Sequence, residues 1–407
     1  MAKAQRHKWM FRARFRRNAF GWKSQPAIRR IKEAVSEIRK VARKDEALAA
    51  EGAVLFLEKV SPAIEHVDSS SGAIGGAVNK AIEALVAVIA GAPADADTRE
   101  GWLQRLWDAC TDDQMPYLEL LGDHWGELCA SREIASSWAD RLIEGCRLAW
   151  SPDPHTRGFF MGTTYCLSAL HAAERYREIL ALLDLAPYDM WHYRKYGVKA
   201  LAAEGRKAEA IRYARAGDGL NDSPVAVAKA CEEILLSSGL ADEAYRRYGL
   251  EAARARTYLA WFRAVAKKYP HKEPVEILRD LVEMTPCEEG KWFAAAKSVG
   301  LFEEAIALAK RSPCAPQTLT RAARDFADKN PEFAVEAGIV ALLWLVEGYG
   351  YDITNIDVLD AYSFTMEAAQ NAGSAEETHR RIVEVVSGET FGERFVTKVL
   401  GRKLGLS

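Results

Sequence analysis

Runs of apolar residues long enough to cross a bilayer are missing from this 407-residue chain. The best stretches, 84–92 and 339–346, are about half of the roughly 20 residues a span needs, and they read as buried helix. Metal-ligand spacing is missing as well. The eight histidines include no His-x-x-x-His pair and the seven cysteines no Cys-x-x-Cys pair. No two cysteines lie closer than seventeen residues, so they read as buried thiols in a reducing compartment rather than as a disulfide framework. His124, Glu127 and Cys129 fall close together but lack a third partner. Residues 69–80 have the Gly and Ser content of a phosphate loop without its Gly-Lys-Ser/Thr ending, and read as a flexible connector between helices. Asp352 to Asp357 lacks the central Gly and terminal Glu of a calcium loop and reads as a helix cap. These absences leave no cofactor and no metal to expect, and no constellation that points to an enzyme.

Alternating β-branched runs are also absent. Helical spacing is everywhere: Ile28, Ile31, Val35, Ile38 and Val41 form one stripe, and Ile134, Trp138, Leu142, Cys146 and Ala149 another. The chain is expected to be all-α. Polar residues placed just before proline mark helix starts at Ser24-Gln-Pro26, Ser223-Pro224, Ser312-Pro313 and Asn330-Pro331. Thr285-Pro-Cys-Glu288 has the form of a capping box.

One turn recurs five times, a Gly or small residue followed four positions later by Glu. The copies start at Glu174, Gly205, Gly239, Gly300 and Gly373, with Glu at 178, 209, 243, 304 and 377. Apolar or small residues stand four and five positions before each copy and five and nine positions after it. That pattern describes one helix packing on the next across a tight corner. Glycine suits the left-handed residue that ends the first helix, and the Glu faces the positive end of the second helix's dipole. The Glu-Glu doublets at 232–233, 288–289, 303–304 and 376–377 fit the same role at helix starts, which removes them as catalytic pairs.

The corner resembles that of a tetratricopeptide repeat, best seen in Gly300-Leu-Phe-Glu-Glu-Ala305-Ile306. The resemblance covers residues 158–386. It implies a TPR-like, right-handed-type α-solenoid of antiparallel helical hairpins. Only the step from Gly205 to Gly239 has that family's 34 residues; the others are 31, 61 and 73, and the 61-residue step has room for a further hairpin over 252–282. The family's peptide-clamp residues match no position here.

The net charge of −2 hides a polarity: residues 1–44 carry fifteen Lys and Arg against only Glu33 and Glu37. The expected organisation is a basic aromatic arm over 1–25, a helical N-terminal region over 26–150, repeats over 158–386 and a short tail over 387–407. In the arm Trp9, Phe11 and Phe15 alternate with Arg12, Arg14 and Arg16, a pattern that in an extended chain offers rings for stacking and guanidinia for phosphates. Lys8, Arg17, Trp22, Lys23, Arg29 and Arg30 complete the candidate contact set. Three readings stay open for the arm: nucleic acid, docking on the protein's own body or on a protein partner, and targeting or membrane contact. An Arg-rich, acid-free start is compatible with an organellar presequence, although these aromatics are heavy for one.

The expectation is therefore a soluble, cytoplasmic, bacterial-style, non-enzymatic scaffold. It binds a protein through its repeat groove and a polyanion or acidic partner through the arm. The alternative is a nucleic-acid-binding or regulatory protein acting mainly through residues 3–44. No small-molecule substrate is evident.

Overall fold

The structure is a computed structural model that describes residues 7–217 and 223–406. Every regular element among them is a helix. Two compact units divide the chain, Met1–Ser223 and Pro224–Ser407. That break falls inside the expected repeat region, not near residues 150–158. The reason is packing: one continuous core runs from Trp9 through Tyr196 and Ala200, so residues 9–15, the N-terminal helices and the helices up to Trp191–Ala203 share it.

In the first unit α1 (Ser24–Ala42), α2 (Glu46–Ile64) and α3 (Ala73–Gly91) pack on one another, with α4 (Ala96–Thr111) against α2. The stripe read for α1 is realised, with Ile31 and Ile38 buried and Ile28, Val35 and Val41 partly so. Residues 69–80 are not wholly a connector, because α3 starts at Ala73 after a left-handed Gly72. The 19-residue α3 is also long and apolar enough by composition to cross a membrane, with 39% of its apolar window buried in the protein. Its glycines and alanines extend it beyond the shorter run read from sequence. The carbonyls at its C-terminus would be left without partners, but the buried Arg99 guanidinium donates to the carbonyls of Ile89, Ala90 and Ala92. α5 (Trp125–Cys129), α6 (Arg132–Ala149), α7 (Thr163–Ala172), α8 (Tyr176–Leu183), α9 (Trp191–Ala203) and α10 (Lys207–Arg215) follow.

All five recurring corners share one geometry. Glu174, Gly205, Gly239, Gly300 and Gly373 have φ of 57°, 80°, 73°, 78° and 68°. In each the next N–H bonds to the carbonyl five residues back: Arg175 to Leu170, Arg206 to Leu201, Leu240 to Leu235, Leu301 to Ala296 and Ser374 to Ala369. These are Schellman caps, which satisfy carbonyls that a helix end leaves bare. A sixth, with Tyr349 bonded to Trp344 around Gly348 at φ 78°, lacks the Glu and so escaped the sequence pattern.

The second unit starts with α11 (Pro224–Leu236). α12 (Ala241–Ala244) passes through a π turn, Tyr245–Gly249, into α13 (Leu250–Ala252). Gly249 lies against the Tyr269 ring, where any Cβ would overlap it. Nearby the fully buried Glu232 carboxylate is held by Lys268 Nζ and Tyr269 Oη, both at 2.5 Å. α14 (Tyr258–Lys268) and α15 (Pro274–Met284) occupy the 61-residue step. Next come α16 (Phe293–Ser298), α17 (Phe302–Arg311), α18 (Pro316–Phe326), α19 (Pro331–Val346), α20 (Asn355–Asn371), α21 (Ala375–Ser387) and α22 (Phe395–Leu404). The last of these lies in the expected tail, yet Val396, Leu400 and Leu404 are buried and α22 packs on α20 and α21.

Three helix starts differ from the sequence reading: the Glu232–Glu233 doublet lies near the end of α11, not at its start, with Glu232 buried. Thr285 ends α15 instead of opening a helix; its hydroxyl donates to the Leu281 carbonyl and accepts from Trp292 Nε1 at 2.8 Å. Ser312 accepts from the Gly290 N–H at 2.9 Å, and the helix begins only at Pro316. Asn330 caps α19 through the Phe333 N–H, and Thr354 and Asp357 form a reciprocal box on α20.

Candidate binding surfaces

The arm is not extended. Phe11–Ala13 is a short 3-10 turn, and Trp9, Phe11 and Phe15 are buried at 7%, 2% and 1% exposure. Those three candidates are therefore withdrawn as stacking residues, because rings already packed on Gly52 and Phe56 of α2 have no free face. Their alternation with arginine reflects a chain lying on a surface, with apolar side chains turned in and charged ones out. The only two acids of residues 1–44 hold it there. Glu37 accepts from the Met10 and Phe11 N–H groups at 2.7 and 3.2 Å, and Glu33 takes Arg14 at 2.9 Å and Arg30 at 2.6 Å. Lys8, Arg12, Arg16, Arg17, Lys23 and Arg29 are exposed, as is Trp22 at 72%; Arg17 faces Glu65 at 3.8 Å.

Between α1 and α3 lies a groove of about 630 Å³. Lys32, Arg39, Lys40 and Arg43 line it from α1 and Lys80 from α3, with Ile31, Val35, Ala77, Ala81 and Ala84 as its apolar part. No acid lines it, and among the described residues none of these five cations forms an ion pair. The named contact set ended at Arg30, although the alternative reading of residues 3–44 took in the four cations of α1; Lys80 lay outside both. The signal was present, since Lys32, Arg39 and Lys40 repeat at helical spacing, but Lys80 comes to the same place only through the α1–α3 packing.

In the second unit a larger groove, about 1080 Å³, runs past α15, α17 and α19. Val275, Leu278, Val282, Phe302 and Ile306 supply apolar surface, and Val275 is 54% exposed. Glu283, Glu303, Glu304, Glu332 and Glu336 outnumber Arg279 and Arg311 along it. Glu336 is already neutralised by Lys310 at 2.7 Å and Arg381 at 2.6 Å. Burial pushes its pKa up, but these two cations more than offset that and hold it below the ordinary carboxylate value. Comparison with known proteins gives no match to a family model and none to a curated protein.

Several other titratable groups sit inward. Burial drives the Cys110, Cys129 and Cys314 thiols up to about 12, which keeps them protonated and unreactive. His124 meets Glu127 at 3.2 Å, while Cys129 is fully buried. Asp123 binds Lys195 Nζ at 2.7 Å and Tyr196 Oη at 3.0 Å, and Thr164 Oγ1 lies 2.7 Å from His192 Nε2. That hydroxyl–imidazole pair has the geometry of an activated nucleophile. Thr164 is only 7% exposed, however, so the contact ties α7 to α9 rather than facing a substrate. Among the described residues no three His, Cys, Asp or Glu side chains converge as a metal site.

Proposed function

We propose that this protein is a non-enzymatic interaction scaffold whose TPR-like helical hairpins form a solenoid that holds a protein partner. The observation that carries the reading is the groove past α15, α17 and α19. It is large, partly apolar, and edged by the carboxylates of Glu283, Glu303, Glu304 and Glu332, none of which forms an ion pair among the described residues. Such a surface favours a segment that is amphipathic and basic, with apolar anchors meeting Val275, Val282 and Phe302 and cations meeting the glutamates. The corner geometry supports it, because each Schellman cap ends one helix sharply so that the chain can turn into the next, as stacked hairpins require.

The test is co-purification with the full chain from native cells. Val275→Arg and Glu304→Arg change exposed groove positions without touching the core. A protein lost with these variants, and kept with Arg12→Glu/Arg16→Glu and after nuclease, is the expected result. A partner indifferent to both groove changes would remove the reading.

A second reading rests on the exposed cations Lys8, Arg12, Arg16, Lys23 and Arg29, which suit a nucleic-acid backbone. With the rings buried, charge alone supports it. It requires a steeply salt-dependent gel shift that disappears on reversal of Arg12 and Arg16.

A further inference from the structure

We propose that the groove between α1 and α3 is the docking site of an acidic amphipathic helix from a protein partner. The two walls differ in kind. On α1, Lys32, Ser36, Arg39, Lys40 and Arg43 follow one side of the helix over about 16 Å, at a rise of about 1.5 Å per residue. On α3, Ala77, Ala81 and Ala84 stand four and three residues apart and so form one stripe. Ile31 and Val35 lie between them, and Lys80 closes the far rim.

The pattern matches a third helix. Alanines let a neighbouring backbone approach closely, and a two-walled trough accepts the ridge that apolar residues at i, i+3, i+4 and i+7 make. Cations on both rims then meet carboxylates flanking that ridge. In the first unit Arg14, Arg30 and Arg17 have acids of their own, whereas the five groove cations, four along α1 and Lys80 on α3, form no ion pair among the described residues. Their summed positive potential favours an anionic occupant, most strongly at low salt.

Nucleic acid fits less well. A duplex presents phosphates on a convex cylinder and would leave the recessed alanine floor empty. A single strand gains from aromatic stacking, and no aromatic residue lines this groove.

The test uses the full chain and a fluorescein-labelled 18-residue peptide of Leu, Ala and Glu with its leucines at i, i+3, i+4 and i+7. A control peptide has the same composition with the leucines scattered. Anisotropy at about 0.1 M salt is expected to show the patterned peptide binding at least tenfold more tightly. Ala84→Trp, which fills the trough, and Arg39→Glu/Arg43→Glu, which reverses one rim, are each expected to weaken it at least tenfold. Val275→Arg leaves it unchanged, which separates this site from the groove of the second unit. Circular dichroism checks folding, and Lys32→Glu/Arg39→Glu, on exposed side chains, stands in should Ala84→Trp not fold. Equal binding of the two peptides, or no binding by either, overturns the proposal. So does displacement of the patterned peptide by a DNA oligonucleotide or by phosphatidylglycerol vesicles more readily than by its own unlabelled form.

Discussion

Phe11 and Phe56 meet edge to face, their ring centroids 5.6 Å apart and their planes at 89°. Phe15 approaches the same ring at 5.1 Å. An arm that reads as a polyanion ligand in sequence is thus part of the core that α2 builds. Its truncation removes core, not only charge, so charge reversal is the sound way to ask what the arm binds.

Truncating a fully buried Phe costs about 3–5 kcal/mol. Phe15→Ala is expected to lower stability by that amount in urea unfolding, while Arg12→Ala and Arg16→Ala stay within about 0.5 kcal/mol. A Phe15→Ala loss below about 1 kcal/mol would mean that the arm is not docked in solution.

The corners predict a signed pair. At Gly205 and Gly300 an added Cβ meets nothing, so Gly→Ala there costs only the left-handed backbone, about 1 kcal/mol. Glu174 occupies the same conformation with a side chain, and its exposed ion pair with Arg132 at 2.9 Å contributes about 0–1 kcal/mol. Glu174→Gly should therefore leave stability unchanged or raise it slightly. Thermal melts of the three variants decide it; equal losses at all three positions would contradict the left-handed assignment.

Acid should weaken the first unit before its carboxylates titrate. Burial, aided by Lys199 for His171 and by Lys195 for His192, holds both imidazoles below their ordinary value. Both values are depressed on folding, so the unfolded chain binds the extra protons. Their stabilisation is complete above about pH 6.5 and is lost as pH falls through the folded values. Urea midpoints should drop between about pH 7.5 and 5.5, and His171→Gln/His192→Gln should flatten that drop.

In the second unit a Cβ at Gly338 of α19 would overlap the Thr365 side chain of α20. Thr365 is fully buried and donates to the Ala361 carbonyl at 2.5 Å, so it has little room to move. Gly338→Ala is expected to cost about 1–3 kcal/mol by overpacking. Adding Thr365→Ala, which removes the Oγ1 that the new Cβ would overlap, should recover part of that loss in the same unfolding measurement.

Helix type and corner position were legible because they depend on neighbours in sequence. The spacing of Ile31 and Ile38 marks a buried stripe, and a glycine four residues before a glutamate marks a Schellman cap. Local signals failed where a distant partner competed for the same group. Thr285 carries the letters of a capping box, but Trp292 and the Leu281 carbonyl claim its hydroxyl. The sixth corner, at Gly348, has the backbone bonds without the glutamate and so left no pattern to find.

The sequence by itself determined the all-helical character, five of the corners and the excess of positive charge near the start. All three follow from local spacing and composition. Tertiary structure decided where that charge points. Burial of Trp9, Phe11 and Phe15 against α2 turned the arm's rings inward, and the packing of α1 on α3 brought Lys80 into the same groove as Lys32, Arg39, Lys40 and Arg43. Those are relations between residues far apart in the chain, set by which apolar faces bury one another, and no local pattern encodes them.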